Sequence, residues 1–384
     1  MHVRVLSWNV FLRPPGIQQP GGGDHKDFRL EFIMRKVIQY DVVLLQEMFA
    51  IGSSRLHRLL SFANDHGLAY HAGSVYPSLW SRQLVDGGLL ILSRYPICQT
   101  KSHQFRDSCG SDALAAKGVV YAQLQIESQG TLLDVFTTHT QAGQGQVATT
   151  IRWRQIEELA WFVHTTRTDA TTPAILGGDF NLDARHNVDF AGDPAKPVIT
   201  KCAESVSYKR MLQLFSMRSH DSVTHVANVL GAAHDVTNAN GHGVLAQTWS
   251  KEQVNDMGKC IDYLFVFEPS RGGSHGDGEP SSVVHAAVDT CALDRSPLID
   301  GGVVEQMIGS VTHLSDHWAI TATLRFPLQH NVQSQLSCPL QSHQLDYYKW
   351  QLLWWPFKAT AVIFIAGVGV VAAGITVTRY IVGL

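Results

Sequence analysis

Two polar motifs in this chain carry groups that could move protons or bind a phosphate. The first has the sequence Gly-Gly-Asp-Phe-Asn at 177–181 and directly follows the apolar segment Ala174–Leu176. Side chains two residues apart after a strand point the same way, so Asp179 and Asn181 are expected to face one pocket. The carboxylate would orient water or accept a proton, and the amide would donate to a phosphoryl oxygen. The alternative is an ordinary Asx turn.

The second motif contains a candidate base. His317 lies in Ser-Asp-His at 315–317, immediately before the strand-like segment Trp318–Phe326. Imidazole titrates near neutral pH, but a histidine base needs an acceptor for its second ring nitrogen. Asp262 lies in the apolar segment Ile261–Phe267, and a buried carboxylate is unfavourable unless it is paired. The sequence therefore predicts that Asp262 pairs with His317.

Three further candidates stand at the ends of strand-like segments: Asn9, Glu47 and His139. In open α/β sheets, ligand-binding residues collect where strands run into loops. A carboxylate near an amide is an oxygen-rich site suited to a hard cation, which favours a metal site at Glu47 and Asn9. The alternatives are a helix cap for Glu47 and, in a chain with 19 histidines, a packing or surface role for His139.

The elements that would position these groups alternate along the first 326 residues. Apolar and alternating segments predict strands at Val3–Asn9, Val42–Gln46, Leu68–Ala72, Gly88–Ser93, Val119–Ile126, Leu132–Thr138, Ala174–Leu176, Ile261–Phe267 and Trp318–Phe326. Helical spacing predicts helices at Phe28–Ile38, Leu56–Ala63, Gln144–Val163 and Tyr208–Phe215. Polar composition predicts surface loops at Asn187–Pro197 and Arg271–Ser282.

The candidate residues form an ordered set along the chain: Asn9, Glu47, His139, Asp179 with Asn181, Asp262, and Asp316 with His317. This set resembles the endonuclease/exonuclease/phosphatase superfamily over roughly residues 1–326. The resemblance implies an α+β fold of the DNase I-like type, a four-layer αββα sandwich. In such a sandwich, two mainly antiparallel sheets are flanked by helices and a metal lies at the rim.

The same resemblance implies a role for each residue. Glu47, helped by Asn9, would hold Mg²⁺, with Asp316 near the metal or against His317. His317, oriented by Asp262, would take a proton from water that Asp179 positions. The charge that builds on phosphorus would be stabilised by His139 and Asn181.

Three segments are similar to those of the neutral sphingomyelinases, especially the intracellular, membrane-anchored branch. They are Asp-Gly-Gly-Leu-Leu-Ile-Leu-Ser-Arg-Tyr-Pro-Ile at 86–97, Asp-Ala-Leu-Ala-Ala-Lys-Gly at 112–118 and His-Thr-Gln-Ala at 139–142. The resemblance implies Mg²⁺-dependent, phospholipase C-type hydrolysis of sphingomyelin to ceramide and phosphocholine. Lys117 would neutralise the substrate phosphate, and Asp112 would pair with Lys117 in the empty site. The alternative for Asp112 and Lys117 is a solvated ion pair.

Composition bears on the competing substrates. The formal charge is −3 and charged residues make up 16% of the chain, with no dense Lys/Arg cluster. A nucleic-acid enzyme needs a local basic stripe, so nucleic acid is not an expected partner. The alternative functions are hydrolysis of a lyso-phospholipid in the same site, and a membrane-tethered nuclease or abasic-site endonuclease. The six scattered cysteines favour free thiols in a reducing compartment.

The composition changes after Pro327. A linker with an aromatic juxtamembrane patch, 327–358, precedes Ala359–Thr378, about 20 residues without a charge, which is long enough to span a bilayer as a helix. The alternative is a buried core helix. We expect a DNase I-like catalytic domain at 1–326 and a transmembrane helix at 359–378. The expected partners are therefore a phospholipid substrate and an intracellular membrane, with an anionic lipid as activator and the catalytic domain facing the cytosol.

Overall fold

The structure is a computed structural model of the 384-residue chain. It describes residues 1–17, 24–74, 76–77, 81–126, 131–167, 169, 172–194, 196–216, 224–231, 236–238, 257–269, 283–289 and 313–325. The predicted linker and transmembrane helix, at 327–358 and 359–378, lie outside these residues. Within the described part of the chain, no helix is both long enough and apolar enough to cross a membrane.

Strands and helices alternate along the chain. The helices are α1 (Lys26–Val37), α2 (Arg55–Asp65), α3 (Gln146–Thr166) and α4 (Val206–Phe215). The strands are β1 (His2–Leu12), β2 (Val42–Met48), β3 (Tyr70–Gly73), β4 (Leu90–Ser93), β5 (Ile97–Gln104), β6 (Gly118–Gln125), β7 (Leu132–His139), β8 (Ala174–Asp179), β9 (His186–Asp193), β10 (Lys196–Lys201), β11 (Thr224–Asn228), β12 (Asp262–Pro269), β13 (Val283–Asp289) and β14 (Ala319–Arg325).

Two six-stranded sheets form the centre of the fold. Their strand orders are β13-β14-β1-β2-β4-β3 and β11-β12-β8-β7-β6-β5. Both sheets are mixed: β1 and β2 run parallel in the first, β7 and β8 run parallel in the second, and the other neighbours are antiparallel. A parallel pair needs a crossover connection, and α1 and α3 provide the two crossovers.

Alternation of side chains explains how the sheets are covered. Along β1, Val3 and Val5 join an apolar core that contains residues of both sheets, whereas Leu6 and Trp8 join a core with α1 and α2. A third core lies between the second sheet and helices α3 and α4. The expected α+β fold with two sheets and covering helices is confirmed.

The predicted strands and helices within the described residues are confirmed, with ends that differ by a few residues. The prediction of a surface loop at Asn187–Pro197 is wrong, because this segment forms most of the hairpin β9–β10. The hairpin is a separate two-stranded sheet in which Val188 pairs with Ile199. The predicted loop at Arg271–Ser282 lies outside the described residues.

Candidate active site

The candidate site lies at one end of the inter-sheet core, where three neighbouring strands carry polar residues. His139 of β7 is in register with Asp179 of β8, which is in register with Asp262 of β12. Because side chains alternate, these residues continue the face on which Val135 and Leu264 pack between the sheets. Strand register alone therefore places an imidazole and two carboxylates side by side.

Two glycines let β8 approach its neighbours closely. A Cβ at Gly177 would lie 2.8 Å from Ser7 Oγ in the facing sheet, and a Cβ at Gly178 would lie 2.1 Å from the carbonyl oxygen of Thr138. Any larger residue at either position would push β8 away from β1 or β7. The glycines that precede Asp179 are therefore needed for its position.

His317, two residues before β14, is held by Asp262 as expected from the sequence. Its Nδ1 lies 3.0 Å and 2.9 Å from the two carboxylate oxygens of Asp262. The Trp8 indole donates to the His317 carbonyl oxygen at 3.1 Å, and the Asp262 amide donates to the Thr237 hydroxyl at 3.1 Å. With Nδ1 engaged, Nε2 is directed to Asp179, whose Oδ2 is 3.7 Å away.

His317 and Asp262 form a dyad that lies among other buried charged groups. These groups shift one another's pKa values. Burial lowers the pKa of His317, but Asp262, Asp179 and Asp316 outweigh it and raise the pKa well above the ordinary value. Burial raises the pKa of Asp262 to about 6. Burial also acts to raise the pKa of Asp179, yet His317 and His139 hold that pKa below its ordinary value. Asp179 is therefore an ionised carboxylate at the centre of the site.

Glu47 carries a buried oxygen that is left unsatisfied. Asn9 Nδ2 donates to Glu47 Oε1 at 3.1 Å and to Asp179 Oδ2 at 3.0 Å. Glu47 Oε2 is buried and has no hydrogen-bond partner within the described residues. Burial, reinforced by the charge of Asp316, raises the pKa of Glu47 to about 7, and burial raises the pKa of Asp316 too. A hard cation would stabilise both carboxylates, so this set of donors fits a hard cation.

A second group of potential metal ligands overlaps the dyad. Asp179, Asp262 and His317 offer ligand atoms that lie within 4.8 Å of one another. A cation held by all three would compete with the hydrogen bond between His317 Nδ1 and Asp262. Of these two positions, only the Glu47 side holds a buried carboxylate oxygen that has no hydrogen-bond partner within the described residues.

Lys117 reaches the site from the start of β6. Its ammonium group donates to Asp112 Oδ2 at 2.7 Å, to the Thr140 carbonyl oxygen at 2.9 Å and to His139 Nε2 at 3.0 Å. Asp112 also accepts from the Ala142 amide at 2.7 Å. Lys117 is 4% exposed, so the pair with Asp112 is a buried contact within the site and the alternative of a solvated ion pair is wrong.

The structure brings all ten predicted site residues into one connected group. Asn181 adopts a left-handed backbone conformation with φ of 47°, and its backbone NH donates to Asp179 Oδ1 at 2.9 Å. Its side chain donates to the Thr140 carbonyl oxygen at 3.2 Å, next to Lys117. The group consists of Asn9, Glu47, Asp112, Lys117, His139, Asp179, Asn181, Asp262, Asp316 and His317.

The sphingomyelinase-like segment at 86–97 divides into two parts. Asp86 accepts from the amides of Gly88 and Ala50, at 2.8 Å and 3.0 Å, and so fixes the chain that follows Glu47. Arg94 lies at the opposite end of β4, where it donates to the carbonyl oxygens at the ends of α1 and α2. The Ser-Arg-Tyr-Pro portion therefore supports the fold at a distance from the site.

Three residues that contact this site were missed by the sequence analysis. Arg29 and Thr237 are fully buried, and Gln46 Nε2 donates across the sheets to Thr137 Oγ1 at 3.0 Å. Arg29 lies on α1, and the residue pattern of that helix did not predict a buried charge. Thr237 lies in a polar region without periodicity. Gln46 alone had a signal, because it is a polar residue inside an apolar strand.

Comparison with known proteins agrees with this geometry. The sequence profile of the endonuclease/exonuclease/phosphatase family matches residues 6–317, which include both ends of the site. The chain belongs to the endonuclease/exonuclease/phosphatase family. In this family member, Asn9 and His317 lie near the two ends of the matched region.

Relatives within the family include lipid hydrolases. A sphingomyelinase of Dictyostelium discoideum is 32% identical over 205 residues, which cover 46% of this chain and 42% of the relative. A phospholipase C of Staphylococcus aureus is 28% identical over 194 residues, which cover 47% of this chain and 57% of the relative. The chain thus spans about half the length of these curated relatives.

Solved structures show the same fold. The crystal structure of SmcL has a TM-score of 0.53 at 22% identity, and the match covers 84% of this chain and 99% of that chain. Sphingomyelinase C from Streptomyces griseocarneus has a TM-score of 0.53 at 20% identity, and the match covers 85% and 100% of the two chains. At these identities the likeness establishes the shared DNase I-like α+β fold.

Proposed function

We propose that this chain is a Mg²⁺-dependent phosphodiesterase of the phospholipase C type that hydrolyses sphingomyelin to ceramide and phosphocholine. The observation that carries the proposal is the placement of Asp179 between two different groups. On one side stands the His317–Asp262 dyad, and on the other the buried Glu47 oxygen that no group in the described part of the chain satisfies. The sphingomyelinase names of the relatives support the substrate.

The chain's own residues account for the proton transfer. The neutral form of His317, held through Nδ1 by Asp262, takes a proton at Nε2 from a water that Asp179 orients. A bound cation would favour that neutral form, because its charge opposes the carboxylates that raise the pKa of His317. The water oxygen forms the new bond to phosphorus, and the bond from phosphorus to the ceramide oxygen breaks. The ceramide oxygen gains a proton, so one water is consumed for each ceramide and phosphocholine released. No covalent enzyme intermediate is required.

The cationic and amide groups stabilise the charge that develops on the phosphoryl oxygens. Lys117 and the amide of Asn181 both contact the Thr140 carbonyl oxygen, so their donors lie on the same side of Asp179. His139 is in register with Asp179, and its Nε2 lies 3.5 Å from Asp179 Oδ2. Donors fixed before the reaction stabilise a developing oxyanion without further reorganisation.

Glu47, Asn9 and Asp316 would hold the metal. When bound, Mg²⁺ polarises the phosphate and stabilises the leaving oxygen. The chemistry of the donor set, two partly buried carboxylates and a buried amide, supports this choice. A structural neighbour, the beta toxin of Staphylococcus aureus at a TM-score of 0.50 and 22% identity, is described with bound magnesium ions.

We further propose that the catalytic domain at 1–326 is tethered by the linker 327–358 and a transmembrane helix at 359–378 to an intracellular membrane, with the domain on the cytosolic side. Sphingomyelin is a bilayer lipid, and tethering would raise the effective concentration of enzyme at that surface. Membranes from cells that express the full chain should retain it after alkaline carbonate extraction, and truncation after 326 should release it. Release of the full chain by carbonate would contradict the anchor.

One substrate screen tests the proposed activity. The purified full chain is incubated with sphingomyelin, lyso-phosphatidylcholine or abasic duplex DNA, each with Mg²⁺ and with EDTA. Release of phosphocholine from sphingomyelin that requires Mg²⁺ is the expected result. Preference for the lyso-lipid would change the substrate while keeping the chemistry, and cleavage of DNA without release of phosphocholine would overturn the proposal.

A further inference from the structure

The guanidinium of Arg29, on α1, is buried and surrounded by backbone oxygens. Its Nε donates to the Asp24 carbonyl at 2.8 Å, its Nη1 to the carbonyls of Val10 at 2.9 Å and Leu314 at 2.6 Å, and its Nη2 to the Phe11 carbonyl at 2.6 Å. The exposed fraction of Arg29 is 0%. A full charge at such a position is unfavourable unless its hydrogen bonds are specific, and here four of them are made.

The accepting carbonyls belong to the two segments that carry the proposed metal ligands. Val10 and Phe11 directly follow Asn9, and Leu314 lies two residues before Asp316. Arg29 Nη1 joins the two segments, because it donates to both Val10 and Leu314. Ser315 Oγ adds a second link by donating to the Asn9 carbonyl oxygen at 2.6 Å. The fork of donors therefore fixes the position of one ligand-bearing segment relative to the other.

Irregular backbone explains why this position needs an arginine. The register between β1 and β2 shifts between Asn9 and Leu12, and Phe11 has a φ of 51°. A bulge leaves carbonyl groups outside the strand ladder, and buried carbonyls need donors. Arginine offers five N–H donors in a planar fork, whereas lysine offers three from a single atom.

We propose that Arg29 is a positioning residue for the Mg²⁺ site. Its hydrogen bonds hold Asn9 and Asp316 at the spacing that a shared cation requires. This inference rests on the proposed function, because it takes the cation position from the Glu47 side of the site. Burial lowers the pKa of Arg29 to about 10, and the negative charges of Asp316 and Glu47 oppose that shift.

Arg94, directly after β4, is the control for Arg29 on α1. It too donates to backbone carbonyls, those of Tyr40 at 3.1 Å and His66 at 2.7 Å, but at the end of β4 remote from Glu47. A purely structural arginine clamp should behave as Arg94 does. Replacement of either arginine by lysine keeps the charge and removes the fork.

The test is calorimetric titration of Mg²⁺ into the full chain and into Arg29→Lys and Arg94→Lys, in the absence of lipid. Groups that orient metal ligands change metal affinity by about 10- to 100-fold when they are removed. We expect a loss of that size in Arg29→Lys, no change in Arg94→Lys, and a lower Tm for both. With sphingomyelin, the Mg²⁺ concentration for half-maximal rate should rise in Arg29→Lys while the rate at saturating Mg²⁺ falls less.

The outcomes separate the inference from the function on which it rests. Unchanged Mg²⁺ affinity in folded Arg29→Lys would overturn the positioning role and leave the proposed function intact. Absence of Mg²⁺ binding by the unmodified chain would overturn the metal site and the inference together. If Arg29→Lys does not fold, Arg29→Gln provides the same titration, and failure of both to fold would assign Arg29 to stability alone.

Discussion

Lys117 Nζ donates a hydrogen bond to His139 Nε2 at 3.0 Å, inside a buried site. The contact requires a lone pair on that imidazole nitrogen, so His139 is neutral. Burial, followed by the positive charge of Lys117, lowers the pKa of His139 to about 3, which agrees with this assignment. In this arrangement Lys117 is the cationic donor and His139 is its neutral partner.

Replacement of Lys117 by Met should therefore remove the positive charge closest to His139. We expect kcat/KM for sphingomyelin to fall by about 10²- to 10³-fold, the usual effect of losing one donor to a developing oxyanion. Lys101→Met, an exposed lysine on β5, is the control and should keep full activity. Steady-state kinetics of the three proteins decide the point, and an active Lys117→Met variant would remove Lys117 from the site.

The dyad should act as a unit. His317→Ala and Asp262→Asn are each expected to lower kcat by about 10²- to 10⁴-fold, because one supplies the base and the other orients it. The double variant should be no slower than His317→Ala, because groups that act together are strongly non-additive. Measured Tm values control for folding. If the two losses multiply in the double variant, Asp262 does not act through His317.

Gly88 should limit the position of Glu47. It has a φ of +66°, and a Cβ there would lie 3.1 Å from Glu47 Cα and 3.2 Å from the Phe49 ring. Gly88→Ala is expected to lower the free energy of unfolding by about 1–2 kcal/mol and to weaken Mg²⁺ binding. Gly16→Ala is the matched control, since Gly16 has a φ of +83° with nothing within 4 Å of its Cβ position. Equal Mg²⁺ affinity in both variants would contradict the close contact with Glu47.

Stability at acidic pH should depend on Asp41. Burial acts to raise the pKa of the Asp41 carboxyl, but hydrogen bonds from Arg4, at 2.8 Å to 3.1 Å, hold that pKa below its ordinary value. A lowered folded-state pKa stabilises the fold above the unfolded pKa of about 3.9, and the stabilisation is lost as pH falls through the folded value.

Asp41→Asn should therefore lower the free energy of unfolding by about 1–2 kcal/mol at pH 7, because Arg4 is partly exposed and solvent screens the pair. The difference from the unmodified chain should shrink below about pH 4. Urea unfolding at pH 7, 5 and 3.5 measures it, with the exposed Asp65→Asn as control. A difference that is constant with pH would show that the carboxylate charge is unimportant.

The sequence was informative where a local pattern and a chemical need coincide. Asp262 interrupts an apolar strand, and a buried carboxylate requires a partner, so its pairing with His317 could be predicted across 55 residues. Asp179 follows a strand and two glycines, which indicates a close approach. In both cases, short-range patterns were sufficient because strand register carries these residues to the same place.

Sequence patterns failed where tertiary contacts override local preference. The hairpin β9–β10 and the edge strand β5 have polar, solvent-exposed sequences without an apolar face, so they resemble loops. Arg29 has the residue type of a solvated helix face, and its hydrogen bonds to four backbone carbonyls, two of them in the bulge after Asn9, explain its burial. Such positions depend on contacts between distant segments, which no local period encodes.

The proposed function places Mg²⁺-dependent hydrolysis of sphingomyelin in one site, built around Glu47 and His317. The direct measurement is phosphocholine release from sphingomyelin mixed micelles over a Mg²⁺ titration, for the full chain and for Glu47→Gln. We predict saturable, Mg²⁺-dependent release by the full chain, and in Glu47→Gln a large loss of rate with a right-shifted Mg²⁺ dependence. Release that is independent of Mg²⁺, or a Glu47→Gln variant as active as the full chain, would contradict the account.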